Sequence, residues 1–275
     1  MKNDKKRAPA GQKDHDASAV EERSTPATPV IYEVIRRHGE EEMARPSLSL
    51  WWSGVAAGLS ISFSLLAQAV IDLRTPDAVW APLAIAAGYP VGFLMVVLGR
   101  QQLFTENTIT MVLPVMAAPS RANLAALARS WSIILAANLA GTLIAALFCS
   151  WTPVLSPELR DAMLAVSQHA MDKPWAVLFF EAITAGFLMA AMVWLLPGSA
   201  SNPFPIIFLM TYLIAISGSA HIVAGSIEAF LLVVNGQMGA WQAFAGFGVP
   251  ALLGNVMGGT VLFALLSHAQ VMREI

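Results

Sequence analysis

The chain has 275 residues, 56% hydrophobic and only 12% charged, with a formal net charge of −2. Soluble domains carry about 25% charged residues, so a water-soluble globular protein is excluded, and the charge balance offers nothing to nucleic acid. Charge is also unevenly placed: residues 1–45 hold nine Lys/Arg and nine Asp/Glu, whereas the remaining 230 residues hold seven and nine. A polar tail is joined to a body suited to lipid, and the single cysteine, Cys149, excludes an internal disulfide.

Residues 1–29 have too little apolar content to offset chain entropy and are expected to form a disordered cytoplasmic tail. No cleavable signal peptide is expected ahead of the first span, because the first 40 residues are charged. Residues 30–46 read as an amphipathic surface helix, with Ile31, Val34 and Ile35 on one face and Arg36, Arg37 and Glu40 to Glu42 around it. That face lies either on the membrane or on the protein's own loops. Residues 47–268 form the membrane domain, and residues 269–275 a cytoplasmic C-terminus.

Crossing the hydrocarbon core takes roughly 20 apolar residues as helix. Residues 48–71, 123–151, 175–196 and 241–267 each supply one ordinary span. Two regions differ. Residues 79–99 make a span, but the polar run 100–108 follows, and then ten apolar residues, 109–118. Ten residues rise about 15 Å, roughly half a bilayer. Likewise 203–217 is interrupted at Gly218-Ser219-Ala220-His221 before thirteen apolar residues, 222–234. Both interruptions fall in the second of three hydrophobic regions. The pattern predicts an all-α membrane protein with six transmembrane helices in two inverted three-helix repeats, helices 2 and 5 broken near the midplane. Both termini then share one side. The tail, Arg121, Arg129 and Arg273 place that side in the cytoplasm, against Arg74, Arg160 and Lys173 opposite. Trp51, Trp52, Trp151, Trp175 and Trp241, near span ends, read as interfacial anchors, and the small-residue run 136–141 as a close helix contact.

Leu103-Phe104-Thr105 with Asn107 at the first break, and Gly218-Ser219-Ala220-His221 at the second, resemble the LFT-x-N and G-x-x-H segments of formate/nitrite transporters. The likeness runs from about residue 31 to the C-terminus. It implies a homopentamer of aquaporin-like protomers in the inner (plasma) membrane, each with its own pore for small monovalent anions such as formate or nitrite. Carried over by position, Thr105 and His221 face each other at the pore centre. Leu103 and Phe104 belong to one hydrophobic constriction, Ile214 to another, and Val193 to a further apolar pore position. Lys173 approximates an entrance lysine, one place off. The chain departs from the family pattern at Gln102, Glu106, Ala190 and Ala220, where a glutamate, a small residue, an asparagine and often a glutamate are usual.

The chemistry needed is compensation for lost water and lost charge. Half-helix N-termini at the breaks supply N–H groups and positive dipole ends. A midplane histidine either donates a hydrogen bond to the anion or passes it a proton, and hydrophobic rings hold back water. Arg100, Glu106, Glu181, His221 and Glu228 are the ionisable residues inside the presumed membrane segments, where each is costly. Glu228, two turns past His221, reads first as a partner for Arg100 that locks the broken helices together, and second as a proton relay. Arg100, Glu106, Asn107 and Glu228 form the expected supporting network. Thr105 is suited both to lining the pore and to capping the helix after it.

The function expected is passage of small monovalent anions or their conjugate acids, as a channel or coupled to protons through His221, with lipid as the remaining partner. No enzyme activity, cofactor or metal is expected: Ser219 or Ser226 with His221 lacks a third orienting group. The alternatives are a non-transporting scaffold or sensor, and a neutral-solute channel, although Asn202-Pro203 has no second Asn-Pro-Ala mate.

Overall fold

The computed structural model describes residues 26–274, and every regular element among them is helical. The expected disordered tail falls outside the described residues as far as residue 25. Ten helices follow. The first is α1 (Thr28–Ala44). Next come α2 (Ser47–Asp72), α3 (Ala81–Leu98), α4 (Asn107–Ala117) and α5 (Arg121–Trp151). Then comes α6 (Pro157–Met171), which buries Ala162, Met163, Leu164, Ser167 and Met171. Finally come α7 (Trp175–Ser199), α8 (Phe204–Ile216), α9 (Ile222–Val234) and α10 (Gln242–Val271). Five of these, α2, α3, α5, α7 and α10, are long and apolar enough to cross a membrane, while α4, α8 and α9 are shorter.

Helix α1 carries Pro29 in its first turn, where its fixed φ is suited. Its polar face is laced by Glu33 with Arg36 and Arg37, and by Glu42 with Arg45. Tyr32, Ile35 and Met43 are buried, and the Tyr32 hydroxyl meets His268 Nδ1 at 2.7 Å near the end of α10. The inner side of the helix therefore packs on the protein itself, while Val30 and Val34 stay exposed.

Two helix pairs make the framework, and each depends on a close backbone approach. On α2, a Cβ added at Gly58 would overlap the Asn138 carbonyl of α5. On α7, a Cβ added at Gly186 would overlap the Asn255 carbonyl of α10. Small residues let the backbones touch where dispersion, not water exclusion, holds helices together. Around this frame, Trp52, Phe148, Phe180, Trp241, Phe244 and Leu266 face outward, an apolar surface fit for lipid or for other copies.

The chain leaves helix twice in the middle of the bundle, and both exits have one design. Helix α3 ends with Arg100 N–H donating to Val97 O and Gln101 N–H to Val96 O, Arg100 having a φ of 51°. Helix α8 ends with Gly218 N–H donating to Ala215 O and Ser219 N–H to Ile214 O, Gly218 having a φ of 65°. Each is a Schellman termination with a left-handed residue one place beyond the cap. Glycine fills that place at no steric cost in the second exit; arginine fills it in the first.

Candidate functional site

An asparagine clamps the extended backbone beyond each exit. Asn138 Oδ1 accepts from Phe104 N–H (2.9 Å), while its Nδ2 donates to Gly54 O (2.9 Å) and Gln102 O (2.8 Å). Asn255 Oδ1 accepts from Ile222 N–H (2.8 Å), while its Nδ2 donates to Ala182 O (2.8 Å) and Ala220 O (2.9 Å). All are buried, so each clamp satisfies backbone groups that water cannot reach. Asn107 adds to the first: its Nδ2 donates to Gln102 Oε1 and Leu103 O, and its carbonyl accepts from Trp131 Nε1.

The clamped segments meet at Thr105 and His221, whose Oγ1 and Nε2 stand 2.7 Å apart. The other ring nitrogen decides the direction of that bond. Nδ1 accepts the Ala224 backbone N–H at 3.1 Å, capping α9. A ring with Nδ1 as acceptor carries its proton on Nε2, so Nε2–H donates to the Thr105 hydroxyl. The cap expected of Thr105 is thus made by His221 for the opposite helix, and Thr105 keeps its own proton to donate elsewhere. Phe93 meets the imidazole edge to face, centroids 5.1 Å apart.

Two cavities flank this contact. One, of about 520 Å³, is lined by Tyr89, Lys173, Ile214, Gly218, His221 and Glu228 among others. The second, of about 670 Å³, lies under α1 and is lined by Glu42, Arg100, Gln101, Gln102, Glu106 and Val193 among others. The Thr105–His221 bond therefore joins a residue on the wall of the first cavity to the segment that walls the second. Leu103 and Phe104 are buried and line neither cavity, Phe104 packing edge to face on Trp131. Lys173 Nζ is held by Glu181 Oε2 and by Gly218 O, each at 2.7 Å, which ties the first cavity's cation to the left-handed turn before His221.

One expected pairing is wrong. Arg100 and Glu228 line different cavities and form no ion pair among the described residues. The reason is local: Arg100 is an exposed helix-terminating residue, with its backbone turned left-handed at the α1 side of the bundle. Sequence reading also missed Tyr89 and Phe93, and the two clamps. The signal for the clamps was present as Asn138-x-x-Gly141 and Asn255-x-x-Gly258, one motif in the third and last hydrophobic spans. Among the described residues no three metal-ligating side chains converge.

The family model described as formate/nitrite transporter matches residues 29–269. Inner membrane protein YfdC of Escherichia coli (strain K12) is 42% identical over 246 residues, 89% of this chain and 79% of that one. Formate channel FocA of Haemophilus influenzae is 25% identical over 250 residues, 82% of this chain and 87% of its own. Among solved structures, a pentameric formate channel with formate bound superposes with a TM-score of 0.68 at 18% identity, covering 82% of this chain and 98% of that one. At that identity the likeness speaks for the fold.

Proposed function

The chain belongs to the formate/nitrite transporter family, and on that premise we propose that it is an inner-membrane passage for small monovalent anions or their conjugate acids. Each protomer of a homopentamer would carry its own pathway, running between the two cavities past Thr105 and His221. The reading is one of transport, not catalysis.

Within this reading the protomer has six crossings in two inverted threes. The first set is α2, α3 with α4, and α5; the second is α7, α8 with α9, and α10. The twin Schellman exits and twin asparagine clamps support that assignment, as does the pairing of α2 on α5 and of α7 on α10. An even number of crossings places both termini on one side, and the positive residues assign that side to the cytoplasm. The cavity under α1 is then the inner one.

The carrying observation is the Thr105–His221 hydrogen bond at the meeting of the two breaks. Its donor and acceptor are fixed, so an anion replacing Thr105 as acceptor finds a preorganised N–H, and the Thr105 hydroxyl offers a second donor. Leu103, Phe104, Ile214 and Val193 provide the apolar surroundings that exclude water. Lys173 gathers anions at the outer cavity, and Asn107 braces the inner break. Coupling to protons belongs to the same reading, with His221 at the narrow part.

The test is uptake into proteoliposomes loaded with a pH-sensitive dye and challenged in turn with formate, nitrite, lactate, acetate and hydrosulfide. A response to one of them that disappears in His221→Ala, from protein still pentameric, supports the reading and names the substrate. Silence from intact wild-type pentamers against all five would leave a scaffold or sensor that keeps the fold.

A further inference from the structure

Among the carboxyl side chains on the cavity walls, Glu228 and Glu106 stand on the segments that follow the two exits, and the framework uses neither. Glu228, on α9, is 8% exposed and lines the outer cavity with no hydrogen-bond or ion-pair partner among the described residues. It follows His221 by seven residues, two turns along the same face and about 10 Å. Glu106 lines the inner cavity directly after Thr105; its Oε1 is enclosed without a partner, as is Oε1 of neighbouring Gln101. Buried polar atoms left unpaired are rare, and a pair on one cavity wall points to a ligand that brings a donor.

The surroundings do not neutralise either group. Facing Glu228 across the outer cavity are Asp72 of α2, Tyr89 of α3, His169 of α6 and Lys173, and the lysine is already engaged by Glu181. Facing Glu106 across the inner cavity are His38, Glu41 and Glu42 of α1, with Arg37 bound to Glu33 and Arg100 at the rim. A bare anion therefore meets a carboxyl group on each side of the constriction. Ionised, that group repels it; protonated, it supplies a hydrogen bond and a proton. His221 is poorly placed to supply the proton itself. Its Nδ1 is bound to the Ala224 N–H, so taking up a second proton there breaks the α9 cap.

We propose that Glu228 and Glu106 are the proton-exchange residues of this passage, one on each side of the Thr105–His221 contact, serving the conjugate-acid form of the cargo that the transport reading already holds. The inference rests on the transport reading above. On the outer side the Glu228 O–H bond breaks as an O–H or S–H bond forms on the anion. Glu228 is left as carboxylate and is reprotonated by hydronium in the cavity. The neutral acid passes Thr105 and His221. On the inner side its acidic bond breaks, the proton passes to the Glu106 carboxylate and then to water, and the anion leaves. One anion and one proton cross together, with no change in oxidation state.

The experiment measures initial formate or nitrite uptake by proteoliposomes of the full chain at external pH 6 to 8. Wild type, Glu228→Gln, Glu106→Gln and Glu228→Asp are compared, each confirmed pentameric. Wild-type and Glu228→Asp rates are expected to follow total anion. Uptake by Glu228→Gln is expected to follow the undissociated acid already in the bath, falling about tenfold per unit of external pH, and Glu106→Gln is expected to show the same fall in efflux as the internal pH is raised from about 6 to about 8. Glutamine variants that match wild type across the range overturn the proposal, and so does a loss by the same factor at every pH, which marks a structural role. Wild type that passes neither acid removes the transport reading, and this inference with it.

Discussion

Asn138 and Asn255 hold matching sets of three backbone groups: one N–H of the chain just past a helix exit, the carbonyl two residues before that N–H, and one carbonyl on the neighbouring long helix. Neither side chain touches a cavity. Each instead converts a stretch of non-helical chain, which lipid would not tolerate, into a satisfied structure.

Their removal should therefore be a stability event. Asn138→Ala leaves the Phe104 N–H and the Gln102 carbonyl without partners, and Asn255→Ala does the same to the Ile222 N–H and the Ala220 carbonyl. A buried orphan costs about 1–3 kcal/mol, so each variant is expected to lose about 3 kcal/mol or more. Thermal unfolding in detergent checks this, with exposed Ser132→Ala as a control expected within about 0.5 kcal/mol. A large loss at one site and none at the other would break the equivalence of the clamps.

Arg100 makes an opposite prediction. A non-glycine residue in the left-handed region pays roughly 1–2 kcal/mol, and Arg100 is the only one among the described residues. Arg100→Gly is expected to raise the unfolding free energy by up to about 1 kcal/mol, since glycine gives back part of the gain as chain entropy. A residue locked in a buried ion pair would behave in the reverse way, losing several kcal/mol on the same change. Denaturation of the two proteins side by side distinguishes a helix terminator from an ion-pair partner.

These two cases show what was legible in the sequence and what was not. The long apolar helices were readable because bilayer thickness sets a length, and the runs of ten and thirteen apolar residues beside the two polar interruptions, read as breaks, stood apart because they do not meet it. The meeting of Thr105 and His221 followed from short motifs placed at those breaks. The fate of Arg100 was not readable: charge and spacing suggested a partner, whereas its backbone angle, which no composition reveals, gave it a local task. The asparagines were hidden for another reason. An Asn inside a span of small residues looks like helix–helix glue, and only the exit opposite it shows which backbone groups it serves.

On α1 the electrostatics give a pH window. The Arg36 guanidinium, with Arg37, donates to Glu33 and holds its carboxyl down at about 2, against an ordinary 4.5. A depressed folded-state value adds stability above about 4.5, and that contribution is lost as pH falls through about 2. The Glu33 side chain is 35% exposed, so solvent screening limits the contribution to at most about 1 kcal/mol. Glu33→Gln is expected to unfold slightly earlier than wild type at pH 6 to 8. The gap should narrow below pH 4.5 and vanish near pH 2. A constant gap across that range would assign the effect to packing.

Lys173 separates a role in capture from a role in architecture. It is the only lysine or arginine on the outer cavity wall among the described residues, and its ammonium is shared between Glu181 and the Gly218 carbonyl. The two charged side chains are 22% and 26% exposed, so the pair itself is worth at most about 1 kcal/mol. Lys173→Met should consequently leave assembly and melting nearly unchanged. Transport should respond more strongly. Without the cation, Glu181 and Glu228 face arriving anions unopposed. The half-saturation concentration for the anion is then expected to rise several-fold, with little change in maximal rate, and the wild-type dependence on ionic strength should flatten. Lys173→Arg keeps the charge and should restore most of the affinity. If the maximal rate falls instead and arginine does not rescue it, the tether to Gly218 is what matters: the lysine then serves to hold the turn that presents His221 to Thr105, and anion capture lies elsewhere on the cavity wall.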